Sequence, residues 1–174
     1  MKHLLTLIDK DITGQDKLSH AKPRIAVGLV LFDSQDNIAL SHMGTWDLHG
    51  LPGGGVDDGE DLITAAKREA WEETGCQCEI IGEIGKTYEN RGEHDFTQEK
   101  YHFLARVVGE KGELHLEEYE IAANTTVRWY PLEHAMQILA DFKPDNLQKE
   151  FIKRRDIAVI KEVMLYHPRQ AYNI

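Results

Sequence analysis

The sequence predicts a single α/β or α+β layered fold, and three observations carry that expectation. Apolar, β-branched runs alternate with stretches of helical periodicity along the chain. The 174 residues suit one domain built around one core. No internal repeat, low-complexity segment or long linker divides them.

The elements follow in order. Residues 1–23 read as an N-terminal extension, in which Leu4 to Ile8 can add a strand and Thr13 to Lys22 form a loop punctuated by Gly14, Ser19 and Pro23. The main domain is expected over 24–174. RIAVGLVLF, Arg24 to Phe32, reads as a buried strand. DSQDN turns the chain, and NIALSH, Asn37 to His42, returns as the second arm of a hairpin. Met43 to Leu51 reads as irregular. Asp61 to Thr74 reads as a helix, with Asp61 as N-cap and Gly75 as the stop. Leu62, Ala65, Ala66 and Ala70 give it an apolar stripe. Cys78 to Ile84, Tyr101 to Val108 and Thr126 to Tyr130 read as strands. Leu132 to Asp141 is a short helix, and Asp145 to Tyr166 a longer one whose core stripe holds Ile152, Val159, Val163 and Tyr166.

Composition limits the function. With 41% hydrophobic and 29% charged residues the chain is globular in type. Its formal charge of −10 argues against non-specific binding to long nucleic acid, which needs Lys and Arg to displace counterions. A small polyanionic substrate stays open, because a bound cation reverses the local sign. Cys76 and Cys78 are too few for a structural zinc site and make a poor disulfide framework, so they read as reduced thiols. The start, MKHLLTLIDKD, lacks a small-residue cleavage site, and no apolar stretch approaches the ~20 residues that span a bilayer. The cytoplasm is the expected location.

The chemistry concentrates in KREAWEETG, Lys67 to Gly75. Spacings of three and four place Glu69, Glu72 and Glu73 on one patch of a helix. They repel one another and sit toward the helix end that disfavours negative charge. A hard divalent cation such as Mg²⁺ relieves both problems. The plain alternative is a solvated acidic face. The preceding LPGGGVDDGE weighs against it, because Gly53, Gly54 and Gly55 let backbone approach a ligand beside the patch. Neither familiar nucleotide loop fits: Asp58 occupies the last glycine position of G-x-G-x-x-G, and no Gly-Lys-Ser/Thr follows.

The segment Gly54 to Cys76, GGVDDGEDLITAAKREAWEETGC, resembles the Nudix box. Gly54, Glu60, Arg68, Glu69, Glu72, Glu73 and Gly75 fall on its fixed positions. Ala70 and Cys76 fill the two apolar positions with side chains smaller than usual, a departure in packing rather than chemistry. The resemblance implies a Nudix-type α/β/α sandwich around a mixed β-sheet. It also implies a metal-dependent hydrolase that cleaves the pyrophosphate bond of a nucleoside diphosphate linked to a further group X, with water attacking phosphorus. Carried onto this chain, it makes Glu69, Glu72, Glu73 and the Gly53 carbonyl ligands for Mg²⁺ or Mn²⁺. Glu69 would also act as base or orient the water. Glu60 and Arg68 would pair to hold the loop, and Gly54 and Gly75 would set turns. A further acid is expected outside the box, with Glu120 favoured over Glu118 and Glu117.

Substrate choice is less legible. Arg24, Arg91 in the loop ENRGEHDF, and Lys100 ahead of a strand are candidates to meet a phosphate, and Trp46 and Phe96 to stack on a base. An ordinary surface or packing role stands against each. Histidine as a residue type can titrate near neutrality, but His42, His49, His94 and His102 lack the spacing of a metal pair on a helix, so they are assigned no role. The layout resembles small bacterial Nudix proteins of unassigned substrate. The alternative is a Nudix-fold sensor that binds a nucleotide without turnover; such regulators have often lost box glutamates, and none is lost here. The resemblance leaves a homodimer open.

Overall fold

The computed structural model describes residues 1–166, with Tyr166 by its backbone alone, so the Tyr166 place in the predicted stripe and the end of the expected main domain lie outside the described residues. The chain runs β1 (His3–Ile8), α1 (Lys10–Thr13), β2 (Arg24–Phe32), β3 (Asn37–Met43), β4 (Leu48–Gly50), α2 (Leu62–Thr74), β5 (Gln77–Arg91), β6 (Phe96–Val108), α3 (Glu118–Ala122), β7 (Thr125–Pro131), α4 (Leu132–Asp141) and α5 (Leu147–Tyr166). Short 3₁₀ turns, Gly44–Trp46 and Gly92–His94, precede β4 and β6. The strands form one mixed sheet in the order β1-β5-β6-β2-β3-β4, with β7 also on β3. No helix among the described residues is long and apolar enough to cross a membrane.

Both faces of the sheet are covered, which is why β2 after Arg24 carries no charged or polar side chain instead of alternating. Val27, Leu29 and Leu31 pack on one face with Ala65, Ala66 and Ala70 of α2. Val30 and Phe32 point the other way, toward Leu139 of α4 and Val159, Ile160 and Val163 of α5. The result is the α/β/α sandwich around a mixed sheet.

The expected hairpin of β2 and β3 is reduced to one pair, Phe32 with Ile38. Two other partners hold the edges of β2. Strand β6 runs parallel to it from Arg24↔Gln98 to Phe32↔Arg106. Segment 52–56 lies along the opposite edge: Leu29 N donates to Pro52 O (2.9 Å), Val27 N to Gly54 O (2.9 Å), and Val56 N to Ile25 O (3.1 Å). The glycine run is thus wedged beside β2, and β3 pairs with β4 and β7 instead.

Other boundaries move as well. The stretch expected to be irregular, 43–51, contains β4. Strand β5 extends to Arg91 and β6 begins at Phe96, so Arg91 ends a strand and Lys100 lies within one. In the N-terminal segment β1 pairs parallel with β5, from His3↔Lys86 to Ile8↔Asn90. Asp9 Oδ2 accepts from Glu93 N at 2.7 Å, and Asn90 Oδ1 from Ser19 N at 2.8 Å, tying 1–23 to the β5–β6 turn.

Candidate active site

Helix α2 begins where Asp61 Oδ1 accepts from Ile63 N (2.9 Å) and Thr64 N (3.0 Å), and ends at Gly75, whose φ is 68°. Its inward stripe starts as Ala65, Ala66 and Ala70 and continues through Glu69 and Glu73. Two carboxylates therefore occupy positions that would otherwise be core. Only 7% of Glu69 and 4% of Glu73 is exposed. A buried ionised carboxylate is costly unless partnered.

The partners come from the loop and from β3. Gly53 N donates to Glu73 Oε1 (3.0 Å) and Ser41 Oγ donates to Glu73 Oε2 (2.6 Å). Gly53 has φ 139°, and a Cβ there would collide with the Val27 carbonyl. A Cβ on Gly54 would lie 2.6 Å from Glu69 Oε1. The two glycines thus let the backbone lie directly against β2 and the α2 carboxylates.

Arg68 ties the outer rim. Its Nη1 donates to Glu69 Oε1 (2.9 Å) and Glu72 Oε2 (2.8 Å); its Nε and Nη2 donate to Glu60 (3.1 and 3.0 Å), and Nη2 also to Gly55 O (2.8 Å). One guanidinium fork therefore joins loop and helix, a geometry that Lys cannot reproduce.

Of the three acids ahead of β7, Glu117 and Glu118 are exposed and Glu120 is buried. Glu120 Oε2 accepts from Glu117 N at 2.8 Å, within a capping box that starts α3. That five-residue helix was not anticipated. Its N-cap is a Glu, and it has too few residues to show a period.

Glu69, Glu73 and Glu117 line a cavity of about 580 Å³; Glu72, Glu118 and Glu120 are not among its lining residues. All three sequence-predicted cations, Arg24, Arg91 and Lys100, line it, as do Trp46 and Phe96. Lys100 Nζ lies 3.5 Å from Gly53 O. Arg91 is held by Glu89 and lies over the Phe96 ring at 5.1 Å. The sequence reading missed Ser41, which anchors Glu73, and Arg155, which lines the cavity from α5. Arg155 Nε donates to Asp156 Oδ1 (2.8 Å) and Nη1 to Glu89 Oε1 (3.2 Å). Arg155 and Asp156 fall on the apolar stripe between Ile152 and Val159, and two charges at stripe positions were the signal available.

Electrostatics follow from burial. Desolvation pushes Glu69 up to about 7, against the pull of Arg68. Glu73 is raised by desolvation and then by the charges of Glu69 and Glu120, with Ser41 opposing. Glu120 is raised mainly by burial. Lys100 is lowered, first by burial and then by Arg155. These buried carboxylates raise one another's pKa and offer oxygen donors only. That set fits a hard divalent cation, which would offset the repulsion.

A NUDIX domain model matches residues 22–154. The chain belongs to the Nudix family. It is 32% identical over 148 residues to a Caulobacter vibrioides protein named RNA pyrophosphohydrolase, covering 73% of this chain and 83% of that one. A Novosphingobium aromaticivorans protein of the same name is 29% identical over 140 residues, covering 72% and 80%. Among solved structures, a NUDIX hydrolase from Nitrosomonas europaea has a TM-score of 0.63 at 19% identity, covering 83% of this chain and 90% of its own. The C. elegans Ap4A hydrolase has a TM-score of 0.58 at 19% identity, covering 84% and 99%. These two share the fold. As a Nudix hydrolase the protein acts on phosphoric anhydride bonds.

Proposed function

We propose that this Nudix hydrolase cleaves the pyrophosphate bond of a nucleoside diphosphate linked to X, with water attacking phosphorus. The observation that carries the reading is the buried Glu69–Glu73 pair, with Glu120 nearby, facing a cavity walled by Arg24, Arg91 and Lys100. Glu69, Glu72, Glu73 and the Gly53 carbonyl would hold Mg²⁺ or Mn²⁺. When bound, such an ion supplies Lewis acidity and neutralises charge on phosphoryl oxygens. Arg24, Arg91 and Lys100 bind and orient the phosphates. Glu69 takes the proton of the attacking water or orients it. Glu120 supplies the added carboxylate. Arg68, Glu60, Gly54 and Gly75 hold loop and helix in register. Residues 1–23 act as an added strand and strap to the domain at 24–174, and the protein works in the cytoplasm.

A second reading narrows X to the 5′-polyphosphate end of RNA. The names of the curated relatives favour it. The charge of −10 is compatible, because only the terminal phosphates need enter the cationic cavity.

A substrate panel tests both readings. Purified protein with Mg²⁺ or Mn²⁺ is offered triphosphorylated RNA oligonucleotides, nucleoside triphosphates, ADP-ribose, dinucleoside polyphosphates and nucleotide sugars, and phosphate products are counted. Release of pyrophosphate or phosphate from the RNA alone supports the second reading. Turnover of a small nucleotide alone removes it and keeps the first. No metal-dependent turnover of any of them counts against both.

A further inference from the structure

A second group of metal-binding side chains lies on the β3–β4 hairpin. His42 and His49 are directly opposed in the antiparallel register. Their rings stack with centroids 4.2 Å apart and planes inclined by 21°. Asp47 Oδ1 lies 3.6 Å from His42 Nε2. One ligand atom from each of the three residues falls within 4.8 Å of the others. Both imidazoles are half-buried and Asp47 is exposed, so the ligands are partly fixed yet reachable.

This group is distinct from the carboxylate site. Side chains alternate across a strand. On β3, Ser41 and Met43 line the cavity, and on β4, Leu48 and Gly50 do. His42 and His49 therefore point away from the cavity, to the opposite side of the hairpin. The chemistry differs too. Two imidazoles and one carboxylate select zinc-class transition ions, whereas an all-oxygen set selects Mg²⁺ or Mn²⁺. Three protein ligands leave a coordination position for water. Ligand atoms must approach within about 2.0–2.2 Å of the ion, so the rings must close on it from their present stack. Rotation about side-chain bonds at the edge of a hairpin permits that closure. The strand pairing, rather than spacing along a helix, is what assembles the group.

We propose that His42, Asp47 and His49 form a second cation site, specific for Zn²⁺ or a similar transition ion. The test is calorimetric titration of the whole protein with Zn²⁺ in a large excess of Mg²⁺, which occupies the carboxylates. One equivalent is expected to bind. His42→Gln and His49→Gln should each weaken it by more than about tenfold, the loss that merely disturbing a ligand's orientation can cause. Asp47→Asn should weaken it less, and the double variant Glu72→Gln/Glu73→Gln should retain it. Absence of Zn²⁺ uptake by the wild type, or full uptake by the combined His42→Gln/His49→Gln variant, overturns the proposal. A readout on the unaltered chain guards against misfolded variants: with Cu²⁺ as probe, electron spin resonance should show coupling to two imidazole nitrogens. Coupling to oxygen ligands only would also overturn it.

Discussion

The Ser41 hydroxyl donates a 2.6 Å hydrogen bond to Glu73 Oε2 while the Gly53 amide holds the other oxygen, Oε1, at 3.0 Å. Strand β3 and the glycine loop thus fix one carboxylate from two sides. A hydrogen bond to a charged group contributes about 1.5–3 kcal/mol, and disturbing a ligand's outer partner typically weakens a metal about 10–100-fold. Ser41→Ala is therefore expected to raise the Mg²⁺ concentration needed for half-maximal activity by at least about tenfold. Turnover at saturating Mg²⁺ should change less. A metal titration of initial rates measures the split; an unchanged Mg²⁺ requirement would remove Ser41 from the site.

The carboxylates themselves should divide by role. Glu73→Gln and Glu72→Gln are expected to lower turnover by about 10²–10³, comparable to losing a preorganised charge-stabilising group. Glu73→Gln should at the same time raise the melting temperature of the metal-free protein, because a buried carboxylate near Glu69 and Glu120 is replaced by a neutral amide. Ser41 and Gly53 can both still bond that amide once the hydroxyl turns. Scanning calorimetry in chelator and steady-state kinetics together check this opposition of activity and stability. A lower melting temperature would mean that Glu73 is stabilising without metal.

Helix α2 was legible because its signals are local: Asp61 caps it, Gly75 ends it, and the alanines mark its inner face. The carboxylate cluster was legible for the same reason, since Glu69 and Glu73 share that face. Strands β5 and β6 were read too short because their ends bury charged and polar groups rather than apolar ones. Glu89, Arg91, Gln98 and Lys100 are all buried, and in a sequence they look like loop. The β2–β3 hairpin was over-read because the wedge of segment 52–56 along β2 is a non-local pairing. His42 and His49 were passed over for a related reason. They are seven residues apart in sequence and meet only through strand register.

His102 makes a prediction about pH. It is fully buried, with Thr87 Oγ1 3.0 Å from Nε2 and no partner for Nδ1. Burial, then the charges of Lys100 and Arg155, hold it well below its ordinary value. The unfolded chain therefore takes up this proton first as pH falls. The contribution is full above about 6.5 and is lost on acidification, by at most about 1.4 kcal/mol per pH unit. Urea melts at pH 7.5 and 5.5, chosen as about one unit on either side of that value, should show this loss in the wild type. His102→Gln should flatten it. An equal pH dependence in both proteins would place the titration elsewhere.

Arg155 carries the last prediction. It is buried between Glu89 of β5 and Asp156 of its own helix, and Asp156 Oδ2 in turn accepts from Leu51 N at 2.9 Å. The chain of contacts runs from α5 to the segment leading into Gly53. Replacing one member of a buried ionic group leaves the others uncompensated, at about 3–5 kcal/mol. Arg155→Met should lower stability by that amount in urea unfolding. The double variant Arg155→Met/Glu89→Gln should recover part of the loss, because the stranded carboxylate is neutralised. Arg91 also bonds Glu89, so the recovery should stay incomplete. Strict additivity of the two single changes would show that Arg155 and Glu89 are not energetically coupled, and that the short distances between them contribute nothing to holding the cavity wall.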